Sequence, residues 1–367
     1  MRLYSNMTVT CGRDARNGTA PVERSDVVGG VGCRGVDAPP GRRLGSAGTG
    51  SCSDDPTAVD HAPPVGGVLR SPATEARNQR TTHIDSVPTL ELLQLLNAED
   101  SLVPLAVRQS LPDLAQAVDL TVQRVAGGGR VHYFGAGTSG RIALMDAAEL
   151  LPTFGAARGL FTAHHAGGSG AIEVPMEEAE DDERLGAAAA VLGPLDVAVG
   201  ITASGATPYV AGSLRAARSA RALTVLVTSN PDAALAGVVD VAIAVDTGPE
   251  AIAGSTRLKA ATAAKLVLNS FSTAVMVRLG RTYSNLMVEI SPRNEKLRGR
   301  MLTILVQATG LPHAECALAL DRSGGNLKVA LVSLLTGCPV STARTLLRAS
   351  DNQVRRAVET ATGRNGR

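Results

Sequence analysis

The chain has no tryptophan, and its 367 residues include only four tyrosines and four phenylalanines. Its core must be packed from aliphatic side chains and alanine, and 44% hydrophobic residues supply enough for a sizeable one. Neither sign of charge is in excess, since 36 Lys and Arg stand against 34 Asp and Glu. A dedicated nucleic-acid binder carries a basic surplus, so no nucleic-acid partner is expected. No run approaches the roughly 18 consecutive apolar residues of a membrane span, so no membrane is expected either. The five cysteines, at 11, 33, 52, 316 and 338, form no CxxC pair and no zinc-ligand spacing. They predict no metal site, and an odd, scattered set fits a reducing cytoplasm better than a disulfide framework. The opening MRLYSNMTVTCGRDARNG lacks the apolar stretch of a secretory signal, which agrees with a cytoplasmic location.

At about 100–200 residues per domain, this length allows two domains or one large one with attachments. Residues 1–70 hold 12 Gly and 6 Pro but neither Ile nor Phe. Such a segment buries too little apolar surface to offset chain entropy, so a disordered N-terminal extension is expected. From residue 71 the texture changes. Apolar residues at helical spacing over 87–100 and 102–125 predict helices, with Pro104 and Pro112 dividing the second stretch. Short β-type runs at 130–135, 159–163, 197–203, 223–228 and 239–245 alternate with helical stretches near 140–151, 171–190 and 208–220. A long Ala-rich helix over about 257–279 follows. The alternation predicts an α/β fold, a doubly wound parallel five-stranded sheet flanked by helices. After Glu295 the pattern is helical only. The predicted organisation is an extension (1–70), a sheet domain with N-terminal helices (71–294) and a small all-helical C-terminal region (295–367).

Two strands run into Gly/Ser/Thr turns that open helices: Gly135-Ala136-Gly137-Thr138-Ser139-Gly140-Arg141 and Thr202-Ala203-Ser204-Gly205-Ala206-Thr207-Pro208. Small residues let the backbone approach an anion, hydroxyls donate to it, and free N–H groups at the helix start face it. In a parallel sheet both loops sit at the carboxyl edge, where ligands bind. The first loop matches G-x-G-x-x-G formally, yet no acidic residue closes a strand about 20 residues on, and no GK[ST] follows. A dinucleotide or nucleotide cofactor is therefore not expected. Two loops with serine and threonine at the helix start point to a phosphate or sugar-phosphate ligand.

Two carboxylates stand near these loops in sequence. Glu149, in Asp146-Ala147-Ala148-Glu149, is flanked by Ala148, Leu150 and Leu151. A carboxylate partly buried there is suited to hold a proton and act as an acid. Glu180 lies in the acidic run 177–182, which on its own reads as a solvated helix face.

Seven segments, in this order, resemble the N-acetylmuramic acid 6-phosphate etherase family, which has the sugar-isomerase (SIS) fold. They are Thr74-Glu75-Ala76-Arg77-Asn78 with Ile84-Asp85; GAGTSGR at 135–141; DAAELLPTFG at 146–155; and AGG at 166–168 with EEAEDD at 177–182. ASGATPYV at 203–210, GSTRLKAATAAKLVLN at 254–269 and NLMVEISPRNEKL at 285–297 complete the set. The resemblance runs from about Leu69 to the C-terminus. It implies cleavage of the lactyl ether of N-acetylmuramic acid 6-phosphate to N-acetylglucosamine 6-phosphate and D-lactate. Elimination precedes hydration, and neither metal nor organic cofactor takes part. By motif position it makes Glu149 the acid toward the lactate oxygen and Glu180 the base at C2. Gly137, Thr138, Ser139, Ser204 and Thr207 become phosphate-site residues. Glu75, Asn78, Ser255 and Lys259 are further substrate-binding candidates, with a plain surface lysine the other reading of Lys259. The resemblance also implies a homodimer in which a neighbouring subunit completes the site. Ala206 stands where the family commonly has Arg, and Pro175 interrupts the stretch leading to Glu180. The alternatives are a non-catalytic sugar-phosphate-binding regulator, like the glucokinase regulator, and a phosphosugar isomerase.

Overall fold

The structure is a computed structural model that describes residues 72–174, 176–290 and 295–363. The extension expected over 1–70 lies outside them, as does Pro175. Three helices come first: α1 (Thr89–Asp100), α2 (Val103–Gln109) and α3 (Leu111–Ala126). Pro104 and Pro112 sit in the first turns of α2 and α3, where a missing N–H costs nothing, so the proline-divided stretch is two helices. The sheet region follows as β1 (Val131–Gly135), α4 (Gly137–Phe154), β2 (Phe161–His165), α5 (Glu177–Glu180), α6 (Glu183–Ala189), β3 (Val197–Ile201), α7 (Pro208–Ser219), β4 (Leu223–Thr228), β5 (Val241–Ala244) and α8 (Lys259–Arg278). The five strands are all parallel, in the order β2-β1-β3-β4-β5.

Every residue of β3 and β4 is buried, as both faces of a parallel sheet are covered by helices. One face packs Val131, Tyr133, Val199 and Val225 against Val267, Phe271 and Val275 of α8 and Leu114 and Val118 of α3. The other packs Phe134, Ala198 and Leu226 against Val210 and Leu214 of α7. The few aromatics gather at β1 and β2, with the rings of Tyr133 and Phe161 5.7 Å apart. By length and composition α8 is apolar enough to cross a membrane. Its place on the sheet face, packed against α3 and α4, accounts for that apolarity, since Val267, Leu268, Phe271, Val275 and Met276 are all core residues.

Two expectations need correction. The helix predicted over 171–190 is broken into a turn of 3-10 helix at Gly168–Ala171, the single turn α5, and α6. The break before α6 is enforced by Asp182, whose carboxylate accepts from the N–H groups of Arg184 and Leu185 and caps a new helix start. Strand β2 starts two residues later than its apolar run suggests and takes in His164 and His165. His165 is buried and His164 half-buried: His164 stacks on Phe134 with centroids 4.7 Å apart and meets His132 ring nitrogen to ring nitrogen at 3.0 Å. Burial pushes the His164 imidazole down to about 4 and lowers His132 as well, so this pair is neutral near pH 7.

Beyond α8 a short hairpin, β6 (Thr282–Tyr283) and β7 (Leu286–Met287), leads to α9 (Glu295–Thr309), α10 (His313–Arg322), α11 (Leu327–Thr336), α12 (Val340–Ala349) and α13 (Val354–Thr362). These helices enclose their own apolar core around Met301, Leu305, Leu320, Leu331 and Leu347. The buried Lys328 ties that core to the end of α8, donating to the carbonyl of Gly280 at 2.9 Å and pairing with Glu289.

Candidate active site

Strands β1 and β3 are in register from Val131 opposite Val197 to Gly135 opposite Ile201. The two Gly/Ser/Thr loops therefore leave the sheet at one level, side by side. From β1 the chain crosses to β2, and from β3 to β4, in opposite directions across the sheet. A crevice opens where the order reverses, outside the carboxyl ends of the strands. A cavity of about 400 Å³ occupies it.

The walls of the cavity are rich in hydroxyls. Thr138 and Ser139 come from the first loop, Thr202, Ser204 and Thr207 from the second, and Thr228 and Ser229 from the end of β4. Thr74 and Thr256 close it from flanking segments. Helices α4 and α7 start at the loops without side-chain caps, so their first N–H groups and the positive ends of their dipoles face the crevice. The lining carries three charged side chains: Glu75, Glu180 and Arg141.

Each loop is held differently. In the second, the Thr202 hydroxyl lies 2.8 Å from that of Thr207 and 3.2 Å from that of Ser204, and accepts from the N–H of Gly205. Thr207 in turn donates to Oε1 of Glu180 at 3.4 Å, which joins the loop to the carboxylate. Gly205 adopts φ +73°, and a Cβ there would stand 2.2 Å from that of Ala233, so no other residue fits. The first loop is braced from below by His165. Its Nε2 lies 3.1 Å from the carbonyl oxygen of Gly137 and its Nδ1 2.7 Å from that of Ala166. The ring occupies the space that a side chain on Gly140 would need, with a ring carbon 2.4 Å from the would-be Cβ. Thr138 and Ser139 make no side-chain hydrogen bond among the described residues, so their hydroxyls are free to face the cavity.

Of the residues singled out from the sequence, Glu75, Gly137, Thr138, Ser139, Glu180, Ser204 and Thr207 line this cavity. The other four do not. Glu149 is exposed on α4 rather than partly buried. From Gly137 to Glu149 the helix climbs about 18 Å, at about 1.5 Å per residue. Asn78 is buried, with its amide donating to the carbonyl of Pro249 at 3.2 Å and its oxygen accepting from the N–H of Arg80. Ser255 stands beside the lining residue Thr256 without lining the cavity itself. Lys259 is neither a surface lysine nor a cavity residue. It is fully buried, and its Nζ donates to Oε2 of Glu99 at 2.7 Å. Glu99 also receives Arg80 through two bonds, at 2.5 and 2.9 Å. These two cations hold its carboxyl down at about 2. A second buried carboxylate, Glu250, accepts from the N–H groups of Lys259 and Ala260 at 2.8 and 3.0 Å and caps the start of α8. Arg141, Thr202, Thr256 and His165 are site residues that the sequence reading did not select. Arg141, Thr202 and Thr256 lie inside the motif segments, whereas nothing local marks His165.

The five-stranded order, the register of the two loops and the hydroxyl-lined crevice at the switch point define a sugar-isomerase-type α/β protein. A family model described as the glucokinase regulatory protein N-terminal SIS domain matches residues 113–218, which span α3 to α7 and both loops. Curated relatives match far more of the chain. An N-acetylmuramic acid 6-phosphate etherase of Thermobifida fusca is 60% identical over 75% of this chain and 90% of its own length. One of Symbiobacterium thermophilum is 51% identical over 72% and 89%, respectively. One of Streptomyces coelicolor is 44% identical over 84% of this chain and 100% of its own. The chain belongs to the N-acetylmuramic acid 6-phosphate etherase family.

Proposed function

We propose that the chain cleaves the lactyl ether of N-acetylmuramic acid 6-phosphate, releasing D-lactate and leaving N-acetylglucosamine 6-phosphate, as a carbon–oxygen lyase in cell-wall sugar recycling. The observation that carries this is the crevice between two hydroxyl-bearing loops and two helix N-termini, with Glu180 at its wall, in a chain of the etherase family. The phosphate is taken by Thr138, Ser139, Ser204 and Thr207 with the N–H groups that open α4 and α7. Glu180 accepts the C2 proton of the open-chain sugar, and the C3–O bond breaks as the lactate oxygen receives a proton from an acid. Water then adds at C3, and C2 regains its proton. A positioned acid or base contributes about 10²–10⁴-fold to such a step.

The acid is Glu149 of a second copy. Within one chain Glu149 stands about 18 Å along α4 from the phosphate loop. That is more than twice the span from the C6 phosphate to the C3 oxygen of one hexose. Exposed Met145, one turn before Glu149 on the same face of the helix, gives a homodimer apolar surface to cover. A cytoplasmic site of action fits the substrate's phosphate and the free thiols Cys316 and Cys338. The test is lactate release from N-acetylmuramic acid 6-phosphate by the purified chain. A mixture of inactive Glu149→Gln and inactive Glu180→Gln chains should regain activity through mixed dimers. A parent chain that releases no lactate refutes the reading, and variants that never complement refute the shared site.

A further inference from the structure

The proposed substrate carries two anionic groups, and the cavity is unequally equipped for them. The phosphate has hydroxyls from two loops and two helix N-termini. The carboxylate of the lactyl substituent must enter a cavity already holding the carboxylates of Glu75 and Glu180. Among the described lining residues the cation that offsets them is Arg141. The second loop adds no charge, because its exposed position is Ala206.

Arg141 is built to receive a carboxylate. It lies on α4 just past Ser139, and its guanidinium is anchored from one side. Nε donates to the carbonyl oxygen of Ile172 at 2.6 Å and Nη2 to that of Ala171 at 3.2 Å. A guanidinium has five N–H donors in a planar fork, so these bonds use one edge and leave the Nη1–Nη2 edge whole. Among the described residues no carboxylate lies in ion-pair range of it. The two carbonyls hold the fork's orientation before any ligand arrives, which lowers the ordering cost of binding. The free edge matches the two oxygens of a carboxylate.

Resting on the etherase reading, we propose that Arg141 takes the lactyl carboxylate in a two-point contact and so selects a 3-O-lactyl sugar phosphate over the same sugar phosphate without that group. The contact also orients the ether oxygen, because the carboxylate is separated from it by a single carbon.

Binding should be measured by calorimetry in a Glu180→Gln background, which removes turnover, with N-acetylmuramic acid 6-phosphate and N-acetylglucosamine 6-phosphate as the two ligands. Adding Arg141→Gln is expected to weaken the lactyl ligand about 10–100-fold and the plain one less than about threefold. Arg141→Lys keeps the charge and the helix but loses the fork, and should weaken the lactyl ligand selectively by a smaller factor. Thermal melting identifies a variant that fails to fold, in which case Arg141→Lys decides. Equal weakening of both ligands would assign Arg141 to the phosphate or the loop and overturn the proposal, as would unchanged affinity for both. Lactate release by the parent chain is scored separately. Its absence sinks the etherase reading, while the two-ligand ratio still reports on Arg141.

Discussion

The first turn of α8 separates two polar regions that look alike in the sequence and differ in what their groups have left to offer. On one side Arg80, Glu99, Lys259 and Glu250 form a closed set. Each carboxylate is matched by internal donors, and Lys259 is fully buried. On the other side Ala260, Ala261 and Ala264 line a cavity whose hydroxyls, Arg141 and Glu180 keep unfilled hydrogen-bonding capacity. Charged residues in a motif are thus not functional by being charged. Those whose partners all lie inside the chain hold the fold, and those with open positions facing a crevice are placed for a ligand. In this chain α8 needs both. Its small residues shape the cavity, and its buried first lysine fixes where that surface stands.

The largest expected effect falls in the open region. Glu180→Gln should lower lactate release by about 10²–10⁴-fold. It should leave the melting temperature nearly unchanged, because Glu180 is exposed and receives a single long bond from Thr207. A variant of undiminished rate would remove Glu180 from the chemistry.

Next comes the closed region. Lys259→Met leaves Glu99 buried with half its compensation, and breaking a buried pair costs about 3–5 kcal/mol. Denaturant unfolding should show that loss, while the folded fraction keeps its KM. A stable variant with a greatly raised KM would break the comparison by moving Lys259 into the binding site. Acid should act on the same cluster. Glu99 titrates at about 2 when folded and higher when unfolded, so its stabilisation is present above the unfolded value and disappears as pH falls toward 2.

Asp146 supplies the opposite sign. It is buried on α4, accepts from the Tyr133 hydroxyl at 2.9 Å and from Ser272 at 3.0 Å, and is raised by burial to about 6. A raised carboxyl favours the folded state while protonated. Its contribution is full below the unfolded value near 3.8 and is lost as pH rises through 6. At about 1.4 kcal/mol per pH unit the change amounts to about 3 kcal/mol. The difference in unfolding free energy between the parent and Asp146→Asn should therefore slope across that window and flatten above it. A flat difference throughout would mean that Asp146 is solvated in the folded protein.

Legibility in the sequence follows the same division between local and distant causes. The central strands were readable because both faces are buried, which makes β3 and β4 continuous apolar runs. The edge strand β2 was misplaced by two residues because its His164 is accommodated by stacking on Phe134, a contact across strands. The hairpin β6–β7 has two residues per strand, too few to show any periodicity. Both loops were readable, since small and hydroxyl-bearing residues at a strand–helix turn have a local reason. The burial of Lys259 was not. Its partner Glu99 is 160 residues away, and nothing near either residue marks the pair. Arg141 was visible as a residue and silent as to role, because its orientation depends on the carbonyls of Ala171 and Ile172.

The smallest effects sharpen the comparison inside the cavity itself. Ser139 makes no side-chain bond among the described residues, whereas the Ser204 hydroxyl already meets Thr202 at 3.2 Å and accepts from the N–H of Ala206 at 3.3 Å. A hydroxyl given wholly to the ligand's phosphate contributes a charge-assisted bond, so Ser139→Ala should raise KM by about 10–100-fold. Ser204→Ala removes a donor that is shared with the loop, and Thr202 and Thr207 remain hydrogen-bonded to each other at 2.8 Å beside the gap. Its KM should rise less, by about 3–10-fold, a net hydrogen bond of ordinary strength. With both serines on the phosphate, as proposed, the turnover number should change little in either variant, since that group takes no part in bond breaking. If Ser204→Ala proves the more damaging, the phosphate is seated on the α7 loop and the α4 loop is the secondary contact. If either substitution lowers the turnover number and leaves KM alone, that hydroxyl acts on the reacting carbons, and the phosphate must sit elsewhere in the crevice.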